Sequence, residues 1–456
     1  MSLFRVGLPA LATLMAVLAA PADEDLQSVT KPGAHIQRTM SLLASSTPAR
    51  RNKVRVLFYG QSITAQPWWR DVANDLVTRF PHADLSIQNL AIGGYPAPEL
   101  ITSAEYDLYP FQPDLLIFHV YGGDDMDKFE DIIRRTRKRT AAEILLWTAH
   151  DNAVEHIYEQ NERIRQVALK YRCGLVDVEA QWKKVLARTG EDVGAYLSDK
   201  VHLNQRGCAL LASMIKPFLV HRPELLSLES RNLAIEIPMH GDKRVKKLED
   251  GSLEVTFDGN RIDAIAMPGT PQRPLAGLTI NGKKPSLMKE LFALTRPSRT
   301  PYMWFPAAHT ISFESLPVVE DWTLTFTESA PDASRFQYKV VGSVTGPDGS
   351  GRHDARFVSD SGRVVIEGGE NWDRLRFSIR KQKGKGRMPP NFQVKWSVRP
   401  LFVEQVAFPP ARRQGSEQSV RLVQGLPNGK HVLRLQPLPG VDLNLKGFRI
   451  YRPPLR

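Results

Sequence analysis

A serine, a histidine three residues after an aspartate, and two glycine-rich turns could together perform acyl transfer. They are Ser62 in Gly60-Gln61-Ser62-Ile63-Thr64, the pair in Asp199-Lys200-Val201-His202, and the stretches Asn89-Leu90-Ala91-Ile92-Gly93-Gly94 and Gly122-Gly123-Asp124-Asp125. A neutral serine is a weak nucleophile until a base within hydrogen-bond reach takes its proton. An acid three residues before the histidine can share a turn with it and fix its tautomer, and a glycine-rich turn can aim backbone N–H groups at an oxyanion. Blander readings use the same residues: Ser62 as the cap of a helix beginning near Pro67, Asp199 as another cap, His202 as a buried structural histidine. No Gly-x-Ser-x-Gly elbow, H-E-x-x-H, Walker loop or paired C-x-x-C occurs, so metal and nucleotide chemistry have no anchor in the sequence and no cofactor is expected.

What would bring these residues together is a parallel sheet. VRVLFYG (54–60), ADLSIQNLA (83–91), DLLIFHVYG (114–122), EILLWTAH (143–150) and GLVDVE (174–179) read as strands. The stretches between them, such as WWRDVANDLVTRF, KFEDIIRRTRKRT and VEHIYEQNERIRQVALKYR, carry apolar residues at three- and four-residue spacing and read as helices. Alternating strands and helices predict parallel pairing with both faces covered, and sites at the carboxyl ends of the strands. Beyond about residue 230 the pattern becomes short alternating segments between Gly, Pro, Asn and Asp turns, RLRFSIR among them, which predicts an all-β region. Residues 230–317 with 409–456 read as one jelly-roll-like module and 318–408 as an inserted β unit. The glycine-rich run VVGSVTGPDGSG (340–351) reads as turns.

Four blocks in this order make roughly residues 53–220, within a catalytic domain read as 53–225, similar to the SGNH (GDSL-like) hydrolase superfamily, with Gly60–Thr64, Asn89–Gly94, Gly122–Asp125 and Asp199–His202 as the matching blocks. The resemblance implies a three-layer α/β/α domain with a five-stranded parallel sheet. It also implies Ser62 as nucleophile, His202 as general base, Asp199 as the residue that supports the imidazole, and an oxyanion hole at the amides of Ser62 and Gly94. Two positions depart from the pattern: Gln61 replaces the usual acid, and Asp124 stands where the family has an asparagine that donates to the oxyanion. An ionised Asp124 would repel that charge. Gln61, Tyr95 and His150 are candidate substrate contacts, and Tyr59, Trp68, Trp69 and Tyr95 flank the site with aromatic surface suited to a sugar.

Composition narrows the setting. The 456-residue chain is too long for one ordinary core, which predicts two or three domains. Residues 1–22 join MSLFR to an apolar stretch and the small residues Ala20-Pro21-Ala22, the pattern of a cleaved secretory signal, followed by an extension over 23–52. A secreted or periplasmic protein without stable membrane insertion is expected. The formal charge of +12 is spread over small clusters such as KRVKK (243–247) and KQKGKGR (381–387), which read as solvated surface. Export and the lack of an aromatic-interleaved basic motif argue against nucleic acid. Cys173 and Cys208 are compatible with a disulfide or with two buried thiols. The resulting expectation is a serine esterase acting on an acetylated carbohydrate. A lipid or aryl esterase, an O-acyltransferase, or a catalytically impaired carbohydrate-binding or envelope protein would use the same residues.

Overall fold

The computed structural model describes residues 23–121, 125–150, 155–270 and 272–456. The expectations for the signal segment 1–22 and for Gly122, Gly123 and Asp124 therefore fall outside the described residues. Five strands form the parallel sheet: β1 (Lys53–Gly60), β2 (Asp84–Asn89), β3 (Leu115–His119), β4 (Glu143–Trp147) and β5 (Gly174–Val176), in the order β2-β1-β3-β4-β5. In β1, Val54, Val56 and Phe58 face one side and Leu57 and Tyr59 the other, all fully buried. A strand apolar on both faces is stable only beneath two helical layers.

Those layers are supplied, among the described residues, by ten helices, α1 (Asp23–Thr30), α2 (Gln37–Ala44), α3 (Ser62–Ala65), α4 (Trp68–Arg79), α5 (Ala97–Ser103), α6 (Leu108–Phe111), α7 (Met126–Arg139), α8 (Glu155–Lys170), α9 (Val178–Thr189) and α10 (Gln205–Ile215). Trp68, Val72 and Leu76 of α4 and Leu211, Ala212 and Ile215 of α10 pack on the Val54/Phe58 face. Phe129, Ile132 and Ile133 of α7 and Ile164, Val167 and Ala168 of α8 pack on the Leu57/Tyr59 face. Residues 23–44 join this domain as well: the amides of Arg38 and Thr39 donate to the buried Glu143 carboxylate at 2.9 and 2.7 Å.

Antiparallel sheets follow. Strands Ala234–Pro238, Val245–Lys247, Leu253–Ala266, Ala276–Ile280, Gln405–Val406, Ser419–Pro437 and Leu445–Tyr451 form a seven-stranded sheet. Phe292–Leu294, Asp321–Ser329, Phe336–Gly342, Gly346–Arg352 and Gln393–Pro400 form a five-stranded one. One continuous apolar cluster, from Val255 and Phe448 to Trp322 and Val394, lies between them. Two sequence expectations need correction here. RLRFSIR is a helix, Asp373–Arg380, whose Leu375, Ser378 and Ile379 are buried at helical spacing. Part of the run 340–351 is strand, because Gly346–Arg352 pairs through its backbone with Phe336–Gly342. Cys173 and Cys208 are both free and buried. Among the described residues no helix is long and apolar enough to cross a membrane.

Gly60 ends β1 at φ +147°, and a Cβ there would sit 2.2 Å from the His119 carbonyl oxygen of β3. Gly60→Ala must push two central strands apart as well as strain the backbone. We expect a loss of roughly 2–4 kcal/mol in urea unfolding; an unchanged midpoint would contradict this account of the β1–β3 contact.

Candidate active site

In the order β2-β1-β3-β4-β5 the connection that leaves β1 runs to β2 on one side and the connection that leaves β3 runs to β4 on the other, so the topological switch point, where open α/β sheets place their sites, falls at the carboxyl ends of β1 and β3. Ser62 stands there, as the first residue of α3. Its Oγ lies 2.9 Å from His202 Nε2, and His202 Nδ1 lies 2.8 Å from Asp199 Oδ2. An Nδ1–H donated to the carboxylate leaves Nε2 as the acceptor that can take the serine proton. Ser62 does not cap the next helix: the capping residue of α4 is Pro67, and no side chain accepts there. Nor does Asp199 cap α10, whose cap is Asn204, accepting from the Gly207 amide.

Asp199 Oδ1 accepts from the amides of Val201 and His202, both at 2.7 Å. These backbone bonds, with the imidazole bond, hold its carboxyl down at about 2, so it is a carboxylate at neutral pH. The loop is tied to the nucleophile by Gln66, whose side chain donates to the Leu203 carbonyl at 2.8 Å and accepts from the Leu203 amide at 3.1 Å. Helix α3 is gripped from two further sides. Asn89 donates to the Thr64 carbonyl at 2.8 Å, and Trp68 Nε1 donates to the Ile63 carbonyl at 2.6 Å.

Gly93 and Gly94 lie beside Ser62: a Cβ built on Gly93 would stand 3.5 Å from Ser62 Cβ. Gly94 has φ +75°. The carbonyls of this turn are held from the β region. Trp304 Nε1 donates to the Gly93 carbonyl at 2.8 Å, and Arg374 donates to the Gly94 carbonyl at 2.9 Å while its guanidinium grips Glu99 at 2.6 Å. Sequence reasoning missed Gln66, Trp304 and Arg374. Trp304 and Arg374 lie 211 and 280 positions from the carbonyls they hold, and no local pattern marks such a pairing.

The three candidate substrate contacts are all buried in packing. Tyr95 is buried and stacks on Phe305 of the β region at 5.7 Å, so its ring seals a seam and offers no face to a sugar. His150 is fully buried against Tyr121 and Trp182. Gln61 is buried too, its Oε1 accepting from the Tyr121 amide at 3.1 Å. Tyr59 and Trp68 are core residues. A cavity of about 720 Å³, lined by Tyr106, Tyr109, Asn260 and Phe292, opens near the residues that precede β3 and β4, away from Ser62. Among the described residues no cluster of His, Cys, Asp and Glu is placed to hold a metal ion.

Sheet order and site together give a three-layer α/β/α domain, similar in both to the SGNH hydrolases, followed by antiparallel β sheets. Among solved structures, the chain is similar to a two-domain esterase active on acetylated mannans, co-crystallised with mannopentaose: 14% identity over 94% of this chain and 98% of that one, TM-score 0.36. It is also similar to an acetylxylan esterase from Geobacillus stearothermophilus, at 18% identity over 38% of this chain and 96% of that one, TM-score 0.34. A further acetyl xylan esterase shares 24% identity over 36% of this chain and 98% of its own, TM-score 0.33. No family model and no curated protein matches.

Two imidazoles near the site are neutral. Burial pushes His119 down to about 3, despite its bond to the Trp147 carbonyl. Burial, then the Arg374 charge, pushes His309 down to about 4. Between the ordinary imidazole value of 6.5 and these values the unfolded chain binds protons that the folded one refuses, so stability falls as pH falls. Between pH 7 and pH 5 each ring is expected to cost on the order of 2 kcal/mol in urea unfolding. His309→Gln should remove its share, and a variant that keeps the whole pH dependence would contradict the assignment.

Proposed function

We propose that this protein is an exported serine esterase that removes O-acetyl groups from a polysaccharide or oligosaccharide. One observation carries the reading: the unbroken relay from Asp199 through His202 to Ser62, at 2.8 and 2.9 Å, beside a glycine turn. Ser62 Oγ attacks the ester carbonyl as its proton passes to His202 Nε2. The amides of Ser62 and Gly94 receive the developing oxyanion. Collapse of the tetrahedral intermediate breaks the ester C–O bond, and His202 returns the proton to the departing sugar oxygen. Water, deprotonated by the same nitrogen, then attacks the acyl-serine and releases acetate and free Ser62.

The setting of the relay supports a large, polar substrate. The His202 side chain is 38% exposed and that of Asp199 56% exposed, so the relay sits at an open edge that a polymer can reach. Space beside Ser62 is narrow on the Gly93 side, where Trp304 closes in, which supports a small acyl group. The apolar N-terminal stretch supports export.

Hydrolysis of p-nitrophenyl acetate and p-nitrophenyl octanoate, with acetate release from acetylated xylan and glucomannan, tests the reading. Ser62→Ala is expected to lose at least about 10³-fold in kcat, and Asp199→Asn about 10²-fold or more. Equal rates for wild type and Ser62→Ala, or a preference for octanoate, would refute it.

A further inference from the structure

Trp304 is an exposed aromatic that touches the glycine turn beside Ser62. It stands in a loop that closes on itself: the Thr300 amide donates to the Phe305 carbonyl at 2.8 Å, Thr300 Oγ1 donates to the Met303 carbonyl at 3.0 Å, and Arg299 bridges Pro306. The Tyr302 hydroxyl anchors the tip to the Arg387 carbonyl at 2.7 Å. The indole is pinned by its bond to Gly93 and by Phe305, 5.3 Å from ring to ring, yet half its surface, 51%, is open. Its distance from the nucleophile is bounded. The Cβ position of Gly93 lies 3.4 Å from Trp304 Nε1 and 3.5 Å from Ser62 Cβ, so those two atoms cannot be more than about 7 Å apart.

Two consequences follow from general chemistry. A rigid, exposed indole face within one sugar ring of a nucleophile is a platform for the apolar C–H face of a pyranose, and fixing it in advance lowers the entropy cost of binding. The second concerns the peptide between Gly93 and Gly94. Its carbonyl and N–H belong to one planar, trans unit, so a donor that fixes the carbonyl also fixes the direction of the Gly94 N–H and polarises it.

We propose that Trp304, supplied by the β region, is a substrate-binding and positioning residue of the Ser62 site: its exposed face takes a sugar ring of the substrate, and its N–H sets the peptide whose other end donates to the oxyanion. This rests on the esterase reading above and adds the sugar-binding element that Tyr95, His150 and Gln61 do not provide. It also makes the β region part of the active site.

The test separates face from N–H. Trp304→Phe keeps a flat ring and loses the donor; Trp304→Ala loses both. Each is assayed with p-nitrophenyl acetate, which has no sugar, and with an acetylated xylo-oligosaccharide, thermal unfolding confirming the fold. Trp304→Phe is expected to lower kcat about fivefold on both substrates and to leave KM for the oligosaccharide within twofold. Trp304→Ala is expected in addition to raise KM about tenfold for the oligosaccharide alone. An oligosaccharide KM unchanged in Trp304→Ala overturns the platform, and an unchanged kcat in Trp304→Phe overturns the positioning role. Should the wild type hydrolyse neither ester, the esterase reading fails on its own, and calorimetric titration of the oligosaccharide decides the platform. Binding weakened about tenfold in Trp304→Ala upholds it; equal binding, or none to the wild type, overturns it.

Discussion

The backbone of β1 meets the backbone of β3 at Gly60, with the His119 carbonyl where a Cβ would be. That contact sets the carboxyl edge of the sheet. It lets β1 run as far as its register partner, Gly60 opposite His119, and then turn out of the sheet within one residue to start α3. Gln61, buried and bonded to the Tyr121 amide, fixes the turn from the β3 side, while Asn89 fixes α3 from the β2 side. Ser62 is thus placed by three neighbouring strands at once. The hydroxyl needs no flexibility to reach His202, because the sheet has already aimed it.

The glycine turn beside Ser62 is held differently. Three carbonyls between β2 and α5, those of Leu90, Gly93 and Gly94, accept from Arg296, Trp304 and Arg374, all from the β region. The bonds are reinforced by charge: Arg296 pairs with the buried Asp107 and Arg374 with Glu99. Phe305 lies under Gly94 and stacks on Tyr95, within the same apolar cluster as α5 and α7. The β region therefore serves as a structural wall of the site. A turn of small residues with few side chains of its own gains its rigidity from outside, which is what an oxyanion donor requires if it is not to reorganise during the reaction.

The parts legible in the sequence are those whose signal is local. Strands β1, β3, β4 and β5 declare themselves as apolar runs, β2 by the alternation of Leu85 and Ile87 with polar residues, and Ser62, Asp199 and His202 by residue type and spacing. The sequence misleads where one pattern fits two structures: in RLRFSIR, Leu375, Phe377 and Ile379 alternate as a strand would, while Leu375, Ser378 and Ile379 also mark a helix face. Gly346–Arg352 hides for the opposite reason, since a strand of Gly, Pro, Asp and Ser carries no side-chain signal and is specified by its partner's backbone. Tyr95 and His150 follow β2 and β4, the strands that flank β1 and β3, so they look placed for substrate. Only the packing of Phe305 and Trp182 shows that their rings are covered.

An exposed relay raises the question of what keeps it in place. Ion pairs this open to solvent contribute at most about 1 kcal/mol, so attraction between Asp199 and the imidazole cannot be the restraint. The bonds that remain are to backbone and amide groups. Asp199 accepts from two consecutive amides, the Ser198 amide donates to the His202 carbonyl at 2.8 Å, and Gln66 pairs in both directions with Leu203. The Ser198 and Gln66 bonds involve no ionisable side chain, and the bonds from the Val201 and His202 amides depend only on a carboxylate that stays ionised down to about pH 2. His202 gains and loses a proton twice in each proposed catalytic cycle, and a loop held by its charge would shift with every transfer. A loop held by these bonds keeps the backbone that carries His202 in place whatever the charge on the ring, which favours one nitrogen acting first as base and then as acid.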